Sequence, residues 1–294
     1  MNKTDKKNLF DKQRRQLAQK YRREKNRNKW LNKFVQLLFW FVFLYFSYEL
    51  KLYELVTDFV SGPEIQIFAY VFVFSFLFFL FNMLTGYFLS YRVERKYELS
   101  NQNSREWLKD SGKGFLLNLV IFYFAARVLL LLINLFPDFW WFYFSLIAAG
   151  FLVLITFVMP KVLLPLFFTL EKYPAGELRD RLMSFIAQLD IDIEEIYEIN
   201  LSSKINYANA AVVGLAGTRK ILLGDNLTER YSPEEIEAVL AHELAHHING
   251  DIIKNLIFEP FFLLASFFVL NLIWPRVLDL FSYSETFVYT LPVM

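Results

Sequence analysis

The sequence predicts a mainly α fold: a multi-span helical membrane protein that carries one small cytoplasmic α+β domain. Three observations lead there. The 294 residues are 55% hydrophobic and 19% aromatic, with 34 Phe, which is too apolar for a single soluble domain. Apolar runs of about 20 residues, the length a tilted helix needs to cross the hydrocarbon core, recur along the chain. Late in the chain a polar, capped helix breaks that pattern and brings His242, Glu243 and His246 to one place.

At the N-terminus, residues 1–33 hold 13 Lys or Arg against Asp5, Asp11 and Glu24, although the whole chain nets only +1. Such a run reads as a solvated, partly helical arm, and beside a membrane its natural neighbours are anionic headgroups. Only Tyr21 and Trp30 are interleaved with the charges, so no nucleic-acid partner is expected. The apolar runs follow at about residues 30–48, 64–92, 113–138, 138–161 and 255–275. Arg127 interrupts the third, and a mid-span arginine costs roughly 2.5 to 3.5 kcal/mol on insertion scales, so it should face protein or a polar cavity.

Basic residues gather in the arm and again between Arg92 and Lys113, whereas the connection between them carries Asp58 and Glu64. The positive-inside rule then places the arm, residues 92–113 and residues 161–254 in the cytoplasm. The expected organisation is a basic cytoplasmic arm at 1–33 and an N-terminal membrane region at 34–169, with about four spans and a cytoplasmic loop at 92–113. A cytoplasmic domain at 170–254 follows, and residues 255–294 supply one more span and the start of a further, truncated one. The chain has no cysteine, which excludes disulfides and thiol nucleophiles. No small-residue cleavage site follows the first apolar run, so no secretory signal peptide is expected.

Within the polar domain, Leu178, Leu182, Phe185, Ile186 and Leu189 fall at helical spacing and predict an amphipathic helix. Ile196–Leu201 and Tyr207–Val213 read as strands, and Gly214–Gly217 turns the second into Lys220–Leu223 as a hairpin. The small residues Ala208, Asn209, Ala210 and Ala211 would leave an edge onto which an extended peptide could hydrogen-bond.

The helix that follows has both ends written into it. Ser232 is a good N-cap, Pro233 sits where a missing N–H costs nothing, Glu235 completes a capping box, and Gly250 supplies the stop. Residues four apart share a face, so His242 and His246 present two imidazoles to one point with Glu243 beside them. This is the H-E-x-x-H arrangement of a zincin-like domain. Two neutral imidazoles bind Zn²⁺ and leave positions open, the metal lowers the pKa of bound water to about 7, and Glu243 takes the water's proton. His247 points about 100° away from His246 and is not counted as a ligand.

Further residues carry a resemblance to the type I CAAX prenyl protease family of membrane-embedded gluzincin metallopeptidases. They are Tyr97-Glu-Leu-Ser-Asn-Gln102, Glu106-Trp-Leu-Lys-Asp110, Gly176-Glu-Leu-Arg179, Asn209-Ala210, Lys220-Ile-Leu-Leu223 and the H-E-x-x-H helix, in the family's order. The resemblance implies one zinc with His242 and His246 as ligands, Glu243 as general base, and Asn209 and Ala210 beside the substrate. It also implies a helical membrane chamber and a peptide or protein substrate that is lipidated or otherwise membrane-bound.

The family's third ligand lies in an acidic motif beyond a further pair of spans, and no such motif follows here, so the sequence reads as C-terminally truncated. Glu259 is a weak substitute, and Asp251 reads as a partner of a ligand or a helix-end residue. Two functions follow. One is a zinc-dependent integral-membrane endopeptidase at the cytoplasmic face, of CAAX-prenyl-protease type or serving membrane-protein quality control. The other is a catalytically incomplete membrane scaffold or binding protein. A transporter would predict paired repeats, and the sequence has none.

Overall fold

A computed structural model describes residues 3–189, 191–214 and 218–281. Its contacts divide it into two compact units, one built from residues 3–101 and 114–123, the other from 102–113 and 124 onward.

In the first unit the basic arm and the first apolar run form one continuous helix, α1 (Lys3–Tyr45). The arm, expected to be partly helical, is helical from Lys3 onward. Its later turns pack through Asn28, which donates to the Leu89 carbonyl at 3.0 Å, and through Glu24, which pairs with Lys96 at 2.7 Å and accepts from the Tyr97 hydroxyl at 2.8 Å. At Ser47 the backbone turns left-handed (φ 50°), and α2 (Tyr48–Phe59) leaves α1 at 61°. Asp58, expected in a loop, lies in α2, and only Val60–Gly62 separates it from α3 (Pro63–Gly86).

The chain continues from α3 through a π-turn at Tyr87–Tyr91 into α4 (Arg92–Lys96). The phenylalanines find their use here as an aromatic seam. Phe39 stacks on Phe81 at 4.4 Å, Phe43 meets Phe74 edge-on, and Phe79 meets Phe115 at 4.7 Å. Such pairs add about 0.5–1.5 kcal/mol each beyond the area they bury.

The expected loop at 92–113 is mostly helix, with only 97–103 outside it. Asn103 caps α5 (Ser104–Leu135) in a complete capping box with Glu106. The helix α6 (Trp140–Val158) runs through a second π-turn into α7 (Leu164–Phe167). It packs on the long α11 (Asp251–Phe281), with Phe267 against Trp140 and Phe144 and Phe268 against Trp141. Among the described residues four helices are long and apolar enough to cross a membrane, and the bent α1–α2 pair makes up to five. The further span expected from residue 286 lies outside the described residues.

The polar part of the second unit is a four-stranded sheet of order β1-β2-β4-β3. Its strands are β1 (Leu170–Lys172), β2 (Glu195–Ile199), β3 (Ala210–Val213) and β4 (Lys220–Gly224). The expected hairpin is present as antiparallel β3–β4, while residues 215–217 of its turn lie outside the described residues. β2 pairs with β4 in parallel, and β1, unread from sequence, adds an antiparallel edge.

The face carrying Ile196, Ile221, Leu223, Ala210 and Val212 is covered by α8 (Glu177–Ala187), through Leu182 and Ile186. It is also covered by α10 (Pro233–Ile248), through Ile236, Leu240 and Leu244. Period-2 strands meeting period-3.6 helices make this the buried core that holds the functional helix in place. Short α9 (Asp225–Thr228) links β4 to α10.

Candidate active site

The helix α10 forms as its sequence dictates. Ser232 N–H donates to Glu235 Oε2 at 2.9 Å and Glu235 N–H to Ser232 Oγ at 3.3 Å, Pro233 opens the first turn, and Gly250 takes φ +68° after the last. Ile236, Leu240 and Leu244, four residues apart, face the sheet and are fully buried. That stripe sets every other direction. His242 and His246 turn outward and are exposed, and Glu243 lies between them and the stripe, half-buried.

The two imidazoles stand with ring centres 5.0 Å apart and planes 80° apart. Two imidazoles on one tetrahedral zinc, each bound at about 2.0–2.1 Å, would have their ring centres about 5 Å apart. The pair therefore fits a shared metal ion. His246 Nδ1 lies 2.8 Å from Asp251 Oδ2, the first residue of α11. A proton on Nδ1 facing that carboxylate leaves Nε2 as the free donor, the tautomer a metal ligand needs. Among the described residues no group of three or more His, Cys, Asp or Glu gathers as a metal cage. Glu259 is exposed on α11 and does not join the pair in such a group.

Asn209 and Ala210 lie at the start of β3, on the open edge of the sheet. The strand expected from Tyr207 begins only at Ala210, because Tyr207–Asn209 is held from below. Asn226, fully buried, donates to the Tyr207 carbonyl at 2.6 Å, and Gly224 N–H donates to the Asn209 carbonyl at 3.0 Å. A Cβ on Gly224 would come within 2.9 Å of the Asn209 oxygen, so only glycine allows this approach. The start of α5 is fastened to the same unit, as Asp110 meets Lys204 at 2.5 Å and accepts from Gln102 at 2.6 Å.

His247, set aside as a ligand, proves to be half-buried, with Nε2 3.0 Å from the Val212 carbonyl of β3. At 100° per residue it lies about 20° around the helix from Leu240, within the buried stripe. That position was readable, but its partner, 35 residues upstream, was not. Asn226 gave no sequence signal at all.

Residues 4–169 match the family model described as CAAX prenyl protease N-terminal, five membrane helices, and residues 172–292 match peptidase family M48. The chain is 26% identical over 240 residues to a metalloprotease, YhfN, of Bacillus subtilis, covering 82% of this chain and 56% of that protein. To the human CAAX prenyl protease 1 homolog it is 26% identical over 252 residues, 71% of this chain and 52% of the relative. The crystal structure of S. mikatae Ste24p superposes with a TM-score of 0.81 at 22% identity, covering 89% of this chain and 63% of that one, a likeness of fold. The chain spans about half the length of the curated relatives it matches. An H-E-x-x-H helix over an edge strand, apolar helices and two matched family models converge: this chain belongs to the CAAX prenyl protease group of M48 peptidases, integral membrane proteins of metallopeptidase type.

Proposed function

We propose that this chain acts as a zinc-dependent integral-membrane endopeptidase that hydrolyses peptide bonds at the cytoplasmic face. The observation that carries the reading is the pair of exposed imidazoles with ring centres 5.0 Å apart on a capped helix, with Glu243 beside them. His242 and His246 would hold the zinc. When bound, it supplies Lewis acidity and lowers the pKa of a coordinated water to about 7.

The chain's own residues do the rest. Asp251 holds the His246 proton on Nδ1, so the other nitrogen stays bare. Glu243, one residue past the first ligand, accepts a proton from the attacking water and delivers it to the departing amine. Asn209 and Ala210 sit beside the substrate, which must be extended to lie along the β3 edge. Relatives named CAAX prenyl protease favour a lipidated or membrane-bound protein substrate. The cytoplasmic orientation rests on the basic residues of α1 and α4.

A test is Glu243→Gln, which should retain zinc and lose at least about a hundredfold in turnover, since acid–base catalysis contributes about 10²–10⁴. Undiminished cleavage would remove Glu243 from the mechanism. The second reading, a catalytically incomplete scaffold, is favoured by the absence, among the described residues, of a group of three or more His, Cys, Asp or Glu arranged to hold a metal ion. Zinc measured after dialysis separates them, because a scaffold retains none and the enzyme keeps one per chain.

A further inference from the structure

We infer that His247 is a positioning residue that ties the substrate-binding edge to the H-E-x-x-H helix and sets where a peptide lying on β3 must stop. The inference rests on the endopeptidase reading above and deepens it.

The argument begins with register. β3 pairs with β4 antiparallel, Ala211 opposite Leu222 and Val213 opposite Lys220, and Gly224 N–H donates to the Asn209 carbonyl. In an antiparallel strand both main-chain groups of a residue point to the same side and successive residues alternate. Asn209, Ala211 and Val213 therefore turn their N–H and C=O to β4, and Ala210 and Val212 turn theirs to the open edge. His247 Nε2 lies 3.0 Å from the Val212 carbonyl, the edge-facing acceptor. A carbonyl only accepts, so the imidazole donates from Nε2.

Two consequences follow. The edge strand is fastened to the helix one residue past His246, which fixes the height of the substrate ladder over the two imidazoles. The Val212 carbonyl is also occupied, so among the described residues of β3 a peptide adding to the edge meets the N–H and C=O of Ala210 and the N–H of Val212 as the groups left to pair with. A ladder that short admits one register. Each change of register along an edge moves the chain by two residues, because the side-chain period is two. The tether thus selects which peptide bond reaches Glu243.

The test compares the full chain in detergent with His247→Leu, which removes the donor, and His247→Gln, whose amide nitrogen reaches about as far as Nε2. Zinc content is measured in all three. Amide hydrogen exchange is read over Asn209–Val213, with β2 as the internal reference. Exchange of the Ala211 and Val213 amides is expected to quicken by about tenfold in His247→Leu and to return to the parent rate in His247→Gln. With a peptide holding several cleavable bonds, the parent should cut one. His247→Leu should raise KM and spread cleavage to bonds two residues away at unchanged zinc, and His247→Gln should restore both.

Unchanged exchange in His247→Leu overturns the tether. Faster exchange with the parent's KM and bond choice overturns the positioning role. If the parent cuts no peptide while the exchange behaves as expected, the endopeptidase reading and the substrate role fall together, and His247 is a structural fastening only.

Discussion

Replacing Asp251 with alanine should weaken zinc binding without unfolding the polar domain. Its Oδ2 lies 2.8 Å from His246 Nδ1, and its Oδ1 lies 3.4 Å from Lys254 Nζ. Losing the partner of a metal-ligating imidazole typically costs about 10- to 100-fold in metal affinity. Here the side chains of His246 and Asp251 are 53% and 41% exposed, so solvent screens the pair, and the lower end applies. The expected loss is about tenfold, or about 1.4 kcal/mol.

Asp251→Asn keeps an acceptor for the Nδ1 proton but removes the charge, and about threefold is expected of it. Competition against a chromophoric zinc chelator measures both, with far-ultraviolet circular dichroism confirming that helix content is retained. A dissociation constant for the alanine variant within twofold of the parent would show that Asp251 does not orient His246. The tautomer argument for the metal site would then lose its footing.

Two further outcomes test the scaffold beneath the site. Leu240→Ala, at a fully buried position facing the sheet, should cost about 2–5 kcal/mol and expose 195–240 to protease, as a thermal proteolysis series would read; a loss below about 1 kcal/mol would mean that α10 is not anchored by this stripe. Glu195 is held down to about 2, chiefly by the Arg179 guanidinium at 2.7 Å and then by the Ile196 N–H, from an ordinary value near 4.5. Its folded-state value is depressed, so its stabilisation is complete above about pH 4.5 and fades as the pH falls towards 2. Arg179→Gln should therefore destabilise the polar domain at pH 6 and do so clearly less at pH 2.5, as thermal melts at the two pH values would show; an equal loss at both would point to lost packing.

Much of the site was legible because its signals are local. A cap, a proline and a glycine delimit α10, and a four-residue spacing puts His242 and His246 on one side of it whatever lies beneath. The amphipathic α8 and the β3–β4 hairpin were readable for the same reason: each is a periodicity over about ten residues, closed by turn chemistry. Signals that are weak locally failed. β1 is three residues long and exists only because β2 offers it an edge. The basic arm joined α1 because Glu24, Asn28 and Gln36 meet partners beyond residue 80, which composition cannot report.

The amino-acid order alone therefore singled out the candidate site residues and showed that the chain lives in a bilayer. Helical spacing and hydrocarbon thickness are constraints that act along the chain. Tertiary structure decided the partners: that Asp251, read as a ligand's partner or a helix-end residue, meets His246 across the left-handed turn at Gly250, that β4 is paired on both sides, by β2 in parallel and by β3, and that His247 closes on Val212. Each of these pairs groups through a sheet order or a chain reversal, and a contact set that way has no periodicity to read.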